Sequence, residues 1–352
     1  MRAGLQSSSI KPSAWLHVSL FMFAMHALPL QGEEQTEPVS EPAAVQAQAA
    51  EPADTLAPGP LQAARPSGTM EHARDYLSGK ITGFASDIDR FFGGDRHFQE
   101  SNPSVIQMNL TRTTGYGGDR KLELAARANL RLPVTEGRLR LLIETDPEQN
   151  VVEAQKNAPV VLRKTVTTPK SLALAARVAI VEESAWRFRT DLGIKLPLPL
   201  KPFVRSSGSY SVPLADWRLT AAQSVYWFNT LGVGETSALD LERIWSEDAL
   251  FRASTVVTWL KDKHTFDLRQ DMSLFHTLND RSVLLYQASA FGVSKPQYLV
   301  TDYALLVDYR YRMHQKWLYF EIIPQLHFPR DRQYQNNFAL SMRLEMLFDD
   351  SR

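Results

Sequence analysis

The chain has 352 residues, of which 44% are hydrophobic, and its 39 basic and 39 acidic side chains balance. This balance provides no basic face for nucleic acid, and the lack of cysteine excludes disulfide scaffolds, thiol nucleophiles and cysteine-ligated zinc. Beyond the N-terminal region, no apolar run reaches about 18 residues, which excludes a bundle of membrane helices but not a barrel of strands.

The first 32 residues have the layout of a secretory signal peptide. Arg2 and Lys11 supply positive charge, residues 14–30 form an apolar stretch, and acidic residues begin at Glu33. The apolar stretch is too short and too interrupted for a regular transmembrane helix. We therefore predict export through a cleaved signal peptide over residues 1–32, with an uncleaved N-terminal anchor as the alternative.

A linker and one amphipathic helix are predicted next. Residues 33–68 are rich in Ala, Pro, Glu and Gln, and they bury too little apolar surface to offset their ordering entropy. This composition predicts that residues 33–68 form a disordered periplasmic linker. Residues 69–98 contain apolar side chains at helical spacing, namely Leu77, Ile81, Phe84, Ile88 and Phe91. This face predicts a helix that plugs or braces the following domain, while a short coiled coil is the alternative.

From residue 104 the hydrophobic period changes from 3.6 to 2. About 14 segments alternate apolar and polar side chains, and most have the ~10 residues that a tilted strand needs to cross a bilayer. Their predicted spans are 104–112, 121–132, 137–145, 170–181, 185–196, 202–212, 216–228, 236–245, 249–260, 263–276, 282–292, 298–313, 316–328 and 337–348. An even number is typical of bacterial barrels, and counts of about 12 or 16 stay open.

The connections and the tryptophans point the same way. Turns after even-numbered strands are short, whereas several connections on the other side are long, with 146–169 the longest. Tryptophans occur near strand ends, where an indole meets a membrane interface: Trp186, Trp217, Trp227, Trp245, Trp259 and Trp317. A soluble β-sandwich would also alternate, but the export signal and the strand length favour an all-β, transmembrane, antiparallel up-and-down β-barrel over residues 99–352.

The last strand supplies a family resemblance. One face of this strand is wholly apolar, with Phe338, Leu340, Met342, Leu344, Met346 and Phe348. Together with the export signal and the alternating strands, it resembles Gram-negative outer-membrane β-barrel proteins, among them an uncharacterised proteobacterial barrel family. The resemblance implies an outer-membrane location, contact with outer-membrane lipid, and recognition of these six residues by the barrel-assembly machinery. Unlike the usual pattern, four residues, 349–352, follow the final aromatic.

The strand faces opposite the apolar ones predict a charged lumen. The predicted lining residues are Arg127, Arg140, Arg177, Arg187, Arg189, Asp191, Arg205, Arg218, Asp240, Glu242, Arg252, Asp267, Arg269, Asp271, Asp308, Arg310, Arg312, Glu321 and Arg343. Arginines outnumber acids, and an excess of positive charge facing water biases a pore toward anions. Because acids and arginines interleave at i, i+2 spacing, a salt-bridge ladder that closes the interior is the favoured structural interpretation.

No catalytic, cofactor or metal site is predicted. His264 with Asp262 and Asp267 is the only suggestive group, and no serine in a diagnostic context accompanies it. We predict a non-enzymatic barrel that acts as a passive or helix-gated channel for small polar or anionic solutes. The alternative is a non-conducting structural, assembly or export-complex barrel that binds a periplasmic partner through its N-terminal arm.

Overall fold

The computed structural model describes residues 68–92, 104–115, 121–132, 139–148, 171–182, 185–196, 199–313 and 317–349. Chain contacts separate two units, Met1–Ala63 and Ala64–Arg352, and all described residues belong to the second unit. The predicted signal peptide, the linker up to residue 67 and the last three residues lie outside the described residues. Those predictions therefore stay predictions.

Within the described residues, 14 strands form one closed barrel in which every neighbouring pair is antiparallel. In chain order they are β1 (Val105–Gly115), β2 (Lys121–Arg131), β3 (Leu139–Thr145), β4 (Leu172–Glu182), β5 (Trp186–Leu196), β6 (Lys201–Leu214), β7 (Trp217–Phe228), β8 (Gly232–Ser246), β9 (Ala249–Leu260), β10 (Phe266–Asn279), β11 (Ser282–Val293), β12 (Leu299–Arg312), β13 (Leu318–Pro329) and β14 (Asn337–Asp349). Pairing of β1 with β14, from Val105 opposite Asp349 to Gly115 opposite Ala339, closes the barrel. The predicted all-β barrel and its strand count are confirmed.

β1 ends three residues later than predicted, β10 is shifted by three residues, and the start of β8 differs most from its prediction. β8 begins at Gly232, whereas alternation predicted a start at residue 236. The segment from Gly232 to Glu235 contains two glycines, which carry no side chain to mark a face, so the hydrophobic period is invisible there. Pairing of Gly232 with Phe228 and of Gly234 with Tyr226 nevertheless extends the ladder.

Side chains alternate between an apolar outer face and a buried inner face. On β14, Phe338 is 57% exposed, while Glu345 on the opposite face is completely buried. All six residues of the predicted assembly signal lie on the outer face: Phe338, Leu340, Met342, Leu344, Met346 and Phe348. Other strands expose large apolar residues in the same way, including Leu124, Leu192 and Leu305.

The predicted amphipathic helix is present as α1 (Gly68–Phe91). Its side chains are described from Lys80 onward, so of Leu77 only its position in the helix is known. Ile81 and Ile88 are buried, and Phe84 and Phe91 pack partly buried against the apolar interior. Over the described residues, no helix combines the length and the hydrophobicity that a membrane span requires.

Candidate functional site in the barrel interior

The barrel has two ends. We call the end where β1 begins and β14 ends the terminal rim, and the opposite end the loop rim. Fourteen strands spaced ~4.8 Å apart and tilted by ~40° enclose a backbone cylinder roughly 28 Å across. That width exceeds what two opposing layers of side chains fill, and it leaves room for one α-helix, which is ~10–12 Å wide with its side chains.

Helix α1 occupies part of this space near the terminal rim. Ala85 and Ile88 of α1, with Phe92 directly after it, form one apolar cluster with inward-facing residues of β9 to β13. This terminal cluster consists of Ala85, Ile88, Phe92, Leu250, Phe275, Val283, Leu285, Leu306 and Ile323. Two edge-to-face ring pairs join helix and wall, Phe91 with Tyr319 and Phe92 with Phe275, each at a centroid distance of 5.5 Å. The described part of α1 is therefore packed on the inner wall.

A network of two arginines and two acids adds a polar link between α1 and the wall. Arg252 Nη1 donates to Asp89 Oδ1 of the helix at 2.9 Å, and Arg252 Nε donates to Glu242 Oε1 at 2.6 Å. Arg218 Nε donates to the other oxygen of Glu242 at 2.7 Å. We call these four residues the docking network. The formal charge of this network is zero only while Asp89 is present, because without Asp89 the single carboxylate of Glu242 faces two guanidinium groups.

A second ionic network lies between β12 and β14, next to the end of α1. Arg310 pairs with Glu321, and its Nη2 donates to Glu345 Oε1 at 2.7 Å. Arg343 Nε lies 2.9 Å from Glu321 Oε2. The Arg310 guanidinium also lies over the ring of Tyr319 at 4.1 Å, and over Phe91 and Phe92 at 5.9 Å each. Phe91 and Phe92 therefore help to cover the ion pair of Arg310 and Glu321, whose side chains are completely buried.

A third network lies on the opposite wall and does not involve α1. Asp191 accepts from Arg177 Nε at 2.7 Å and from Arg205 Nε at 2.8 Å, while Arg205 Nη2 donates to Glu144 Oε1 at 3.1 Å. All four side chains are buried, and their charges cancel. Burial removes the hydration of each charge, and the attraction between arginine and acid offsets that cost only when both partners are in place.

The other predicted lining residues lie on the same inward faces. Arg269 Nε lies 2.8 Å from Asp271 Oδ2, and Arg127 Nε donates to Gln107 Oε1 at 2.5 Å. Arg140, Asp240 and Asp308 are buried. Half-buried positions are Arg187, Arg189, Asp267 and Arg312. The structure thus places the predicted charges mainly in interstrand networks.

Near the loop rim, a second apolar cluster fills the interior beside β3 to β9. This loop cluster consists of Leu142, Ala173, Ala175, Phe203, Tyr226, Phe228 and Leu260. Phe203 and Phe228 stack at a centroid distance of 5.0 Å. Glycines on neighbouring strands make space for these rings, since a Cβ on Gly193 would lie 2.4 Å from Phe203 Cζ and one on Gly234 would lie 2.4 Å from Tyr226 Cε2.

Some interior residues were missed by the sequence analysis as site residues. Asp89 is the most important, and its spacing of four from Ala85 and eight from Ile81 does place it on the buried helix face. His327 is completely buried, with Nδ1 3.3 Å from Asp302 Oδ2. Helical spacing places Asp89 and strand alternation places His327 on buried faces, but a single polar residue gives no signal of its partner.

The suggestive histidine group does not form a site. His264 is exposed in the turn between β9 and β10, and Asp267 pairs with Lys263 at 2.9 Å. Within the part of the chain that the structure describes, no group of three or more His, Asp or Glu side chains is arranged to hold a metal ion. The interior chemistry that remains is ion pairing, aromatic packing and helix docking.

Comparison with known proteins adds little to this picture. No family model matches the chain, and no curated protein matches it. Among solved structures, the chain is similar to the NanC porin, with 8% identity and a TM-score of 0.35 over 68% of this chain and 98% of that chain. It is also similar to the outer membrane channel DcaP of Acinetobacter baumannii, with 8% identity and a TM-score of 0.40 over 70% and 96% of the two chains. Likenesses this weak carry no functional conclusion.

Proposed function

We propose that this protein is an outer-membrane channel that α1 holds closed, and that it passes small polar or anionic solutes when α1 leaves the inner wall. The observation that carries the proposal is the docking of a separate helix inside a closed barrel. The helix contributes both an apolar face and one charge, Asp89, to that contact.

The outer surface supports a membrane location. Exposed large hydrophobic side chains occur on strands all around the barrel, and a soluble protein rarely exposes so large a continuous apolar area. Trp186, Trp227 and Trp245 are exposed at or next to strand ends, as expected for rings at a membrane interface. Together with the predicted export signal, this surface favours the outer membrane, where transmembrane strands of this length form barrels.

Barrel width and charge support a channel that opens by helix withdrawal. Removal of α1 from a cylinder roughly 28 Å across would free a passage on the order of the helix width, ~10–12 Å, which admits small solutes. Withdrawal would also leave Arg218 and Arg252 facing Glu242 as the one acid of the docking network, an excess of one positive charge. An excess of arginine at the new opening favours anions over cations.

Single-channel recording tests this proposal. The full chain and a chain that begins at residue 99 are refolded, and barrel formation of each is verified by the shift in electrophoretic mobility on heating. We expect current steps from the shorter chain and rare or no steps from the full chain, with anions carrying most of the current. Silence from both folded proteins would overturn the channel proposal.

A second candidate function is a non-conducting barrel that binds a periplasmic partner. The loop cluster favours it, because Phe203, Tyr226 and Phe228 fill part of the interior without any contribution from the described helix residues. The network of Arg177, Asp191 and Arg205 is likewise independent of α1. Silent recordings combined with stable capture of a periplasmic protein by residues 33–98 would support this function instead.

A further inference from the structure

Polar side chains interrupt the apolar outer surface on one side of the barrel. On β5 to β10, polar side chains point outward at mid-strand, and they form three pairs. Thr190 and Ser206 lie 3.0 Å apart through their hydroxyl oxygens. Ser237 Oγ donates to Gln223 Oε1 at 2.5 Å, and Thr255 Oγ1 donates to Gln270 Oε1 at 2.6 Å. We call these six residues the outer polar belt: Thr190, Ser206, Gln223, Ser237, Thr255 and Gln270.

The belt lies at the depth where a bilayer is most apolar. On β7, Gln223 sits between outward-facing Trp217 and Trp227, which mark the two interfaces. On the other side of the barrel, the outward residues at mid-strand are hydrophobic, such as Leu305 on β12 and Met108 on β1. The hydrogen-bonded hydroxyl and amide pairs at mid-strand therefore occur on one arc of six strands, whereas Arg112 on β1 is a separate outward-facing charge nearer the loop rim.

The belt retains hydrogen-bonding capacity that lipid cannot satisfy. Gln223 Oε1 accepts from Ser237, and no acceptor among the described residues takes the two N–H donors of Gln223 Nε2. The hydroxyl groups of Ser237 and Thr255 each donate one hydrogen bond to a glutamine Oε1, and their oxygens keep lone pairs that can accept another. An amide N–H left unpaired in hydrocarbon costs several kcal/mol, so this face favours a polar partner at the same depth.

We propose that the outer polar belt is a self-association surface on which a second copy of this chain docks. Donors and acceptors are present side by side in one patch, so the same patch on a second copy is complementary to it, as a two-fold interface requires. Six strands at ~4.8 Å spacing, tilted by ~40°, give the arc about 900 Å² in a band ~25 Å tall, and a second convex barrel would contact the central strands of this arc. This inference rests on the proposed membrane location but not on the gating by α1.

Subunit counting in lipid vesicles tests the proposal. The full chain carries one fluorophore, and photobleaching steps are counted as a function of the protein-to-lipid ratio. We expect dimers or higher oligomers for the unmodified sequence, and association about tenfold weaker for Gln223→Leu combined with Gln270→Leu. The matched control exchanges two apolar residues on the other side, Met108→Leu with Leu305→Met, and should associate normally.

Cysteine cross-linking maps the contact face, because the chain contains no cysteine of its own. Oxidation in vesicles should link Gln223→Cys into dimers about tenfold more than Leu305→Cys at equal protein density. Monomers for the unmodified chain, unchanged association of the double leucine variant, or equal cross-linking at both positions would overturn the proposal. Failure of the protein to float with vesicles would instead refute the membrane location itself.

Discussion

Replacement of Asp89 by Ala should weaken the docking of α1 on the barrel wall. Asp89 is 11% exposed and Arg252 5% exposed, so the substitution leaves a buried guanidinium that shares Glu242 with Arg218. Removal of one partner of a buried ion pair costs ~3–5 kcal/mol, and the partial exposure of Asp89 places this case near ~3 kcal/mol. That free energy corresponds to about a 150-fold increase in the undocked population.

The apolar face of α1 should keep the variant closed for most of the time. Ile81, Ile88 and Phe92 are buried, and each such side chain contributes ~1.5–3 kcal/mol relative to exposure. The loss of about 3 kcal/mol therefore produces brief openings and not a permanently open pore. In planar bilayers we expect current bursts from Asp89→Ala, and hydrogen exchange of the backbone amides from Ile81 to Phe92 should accelerate by a similar factor.

Asp87→Ala is the matched control for this experiment. Asp87 lies two residues away on the exposed side of the same helix, and its removal changes the net charge by the same amount. The control should leave both open probability and hydrogen exchange unchanged. If Asp89→Ala and Asp87→Ala behave alike, the ion pair with Arg252 does not hold the helix, and the reasoning is refuted.

Three further predictions concern the barrel. Gly193→Ala places a Cβ 2.4 Å from Phe203 Cζ and should lower the free energy of unfolding by ~1–3 kcal/mol, measured as a lower urea midpoint. Asp191→Asn leaves two buried arginines short of a counter-charge and should cost ~3–5 kcal/mol in the same titration. Phe348→Ala removes a ring stacked on Trp317 at 5.2 Å, worth ~0.5–1.5 kcal/mol, and should slow barrel assembly, followed by the heat-sensitive electrophoretic band.

Each of these predictions has a control in the same barrel. Gly208→Ala meets its nearest neighbour, Phe188, at an ordinary 3.4 Å and should be close to neutral in urea. Asp216→Asn alters an ion pair whose carboxylate is 62% exposed, so its effect should stay below about 1 kcal/mol. Leu305→Ala removes an equally lipid-facing residue away from the last strand and should assemble at the normal rate. Equal effects of test and control variants would contradict the corresponding account.

Strand alternation predicted which side chains share a face, and together with the strand length and the export signal it predicted the barrel. A period of two sends every second residue inward, so the burial of Arg310 and the exposure of Phe338 follow from the same pattern. The pattern fails where side chains are missing, as at Gly232 and Gly234, because a glycine marks neither face. The helix could be predicted in the same way, because Ile81 and Ile88 recur at helical spacing.

The contacts that join distant parts of the chain were not predictable from pattern. Asp89 and Arg252 are 163 residues apart, and no periodicity in either segment indicates which arginine the helix acid meets. The loop cluster is similar, because the rings of Phe203 and Tyr226 occupy space that Gly193 and Gly234 leave on neighbouring strands. Such pairings depend on register and barrel width, which the sequence of one strand does not contain.

The most direct test of a helix-closed lumen is a reversible cross-link followed by current recording on one channel. Asp89→Cys and Arg252→Cys replace the two residues that link helix and wall, in a chain with no other cysteine. A reducible bifunctional thiol reagent then ties α1 to β9. We expect no current while the link is intact and current steps after a reductant is added to the same bilayer. Equal currents before and after reduction, or silence after reduction of a folded barrel, would contradict control of the lumen by α1.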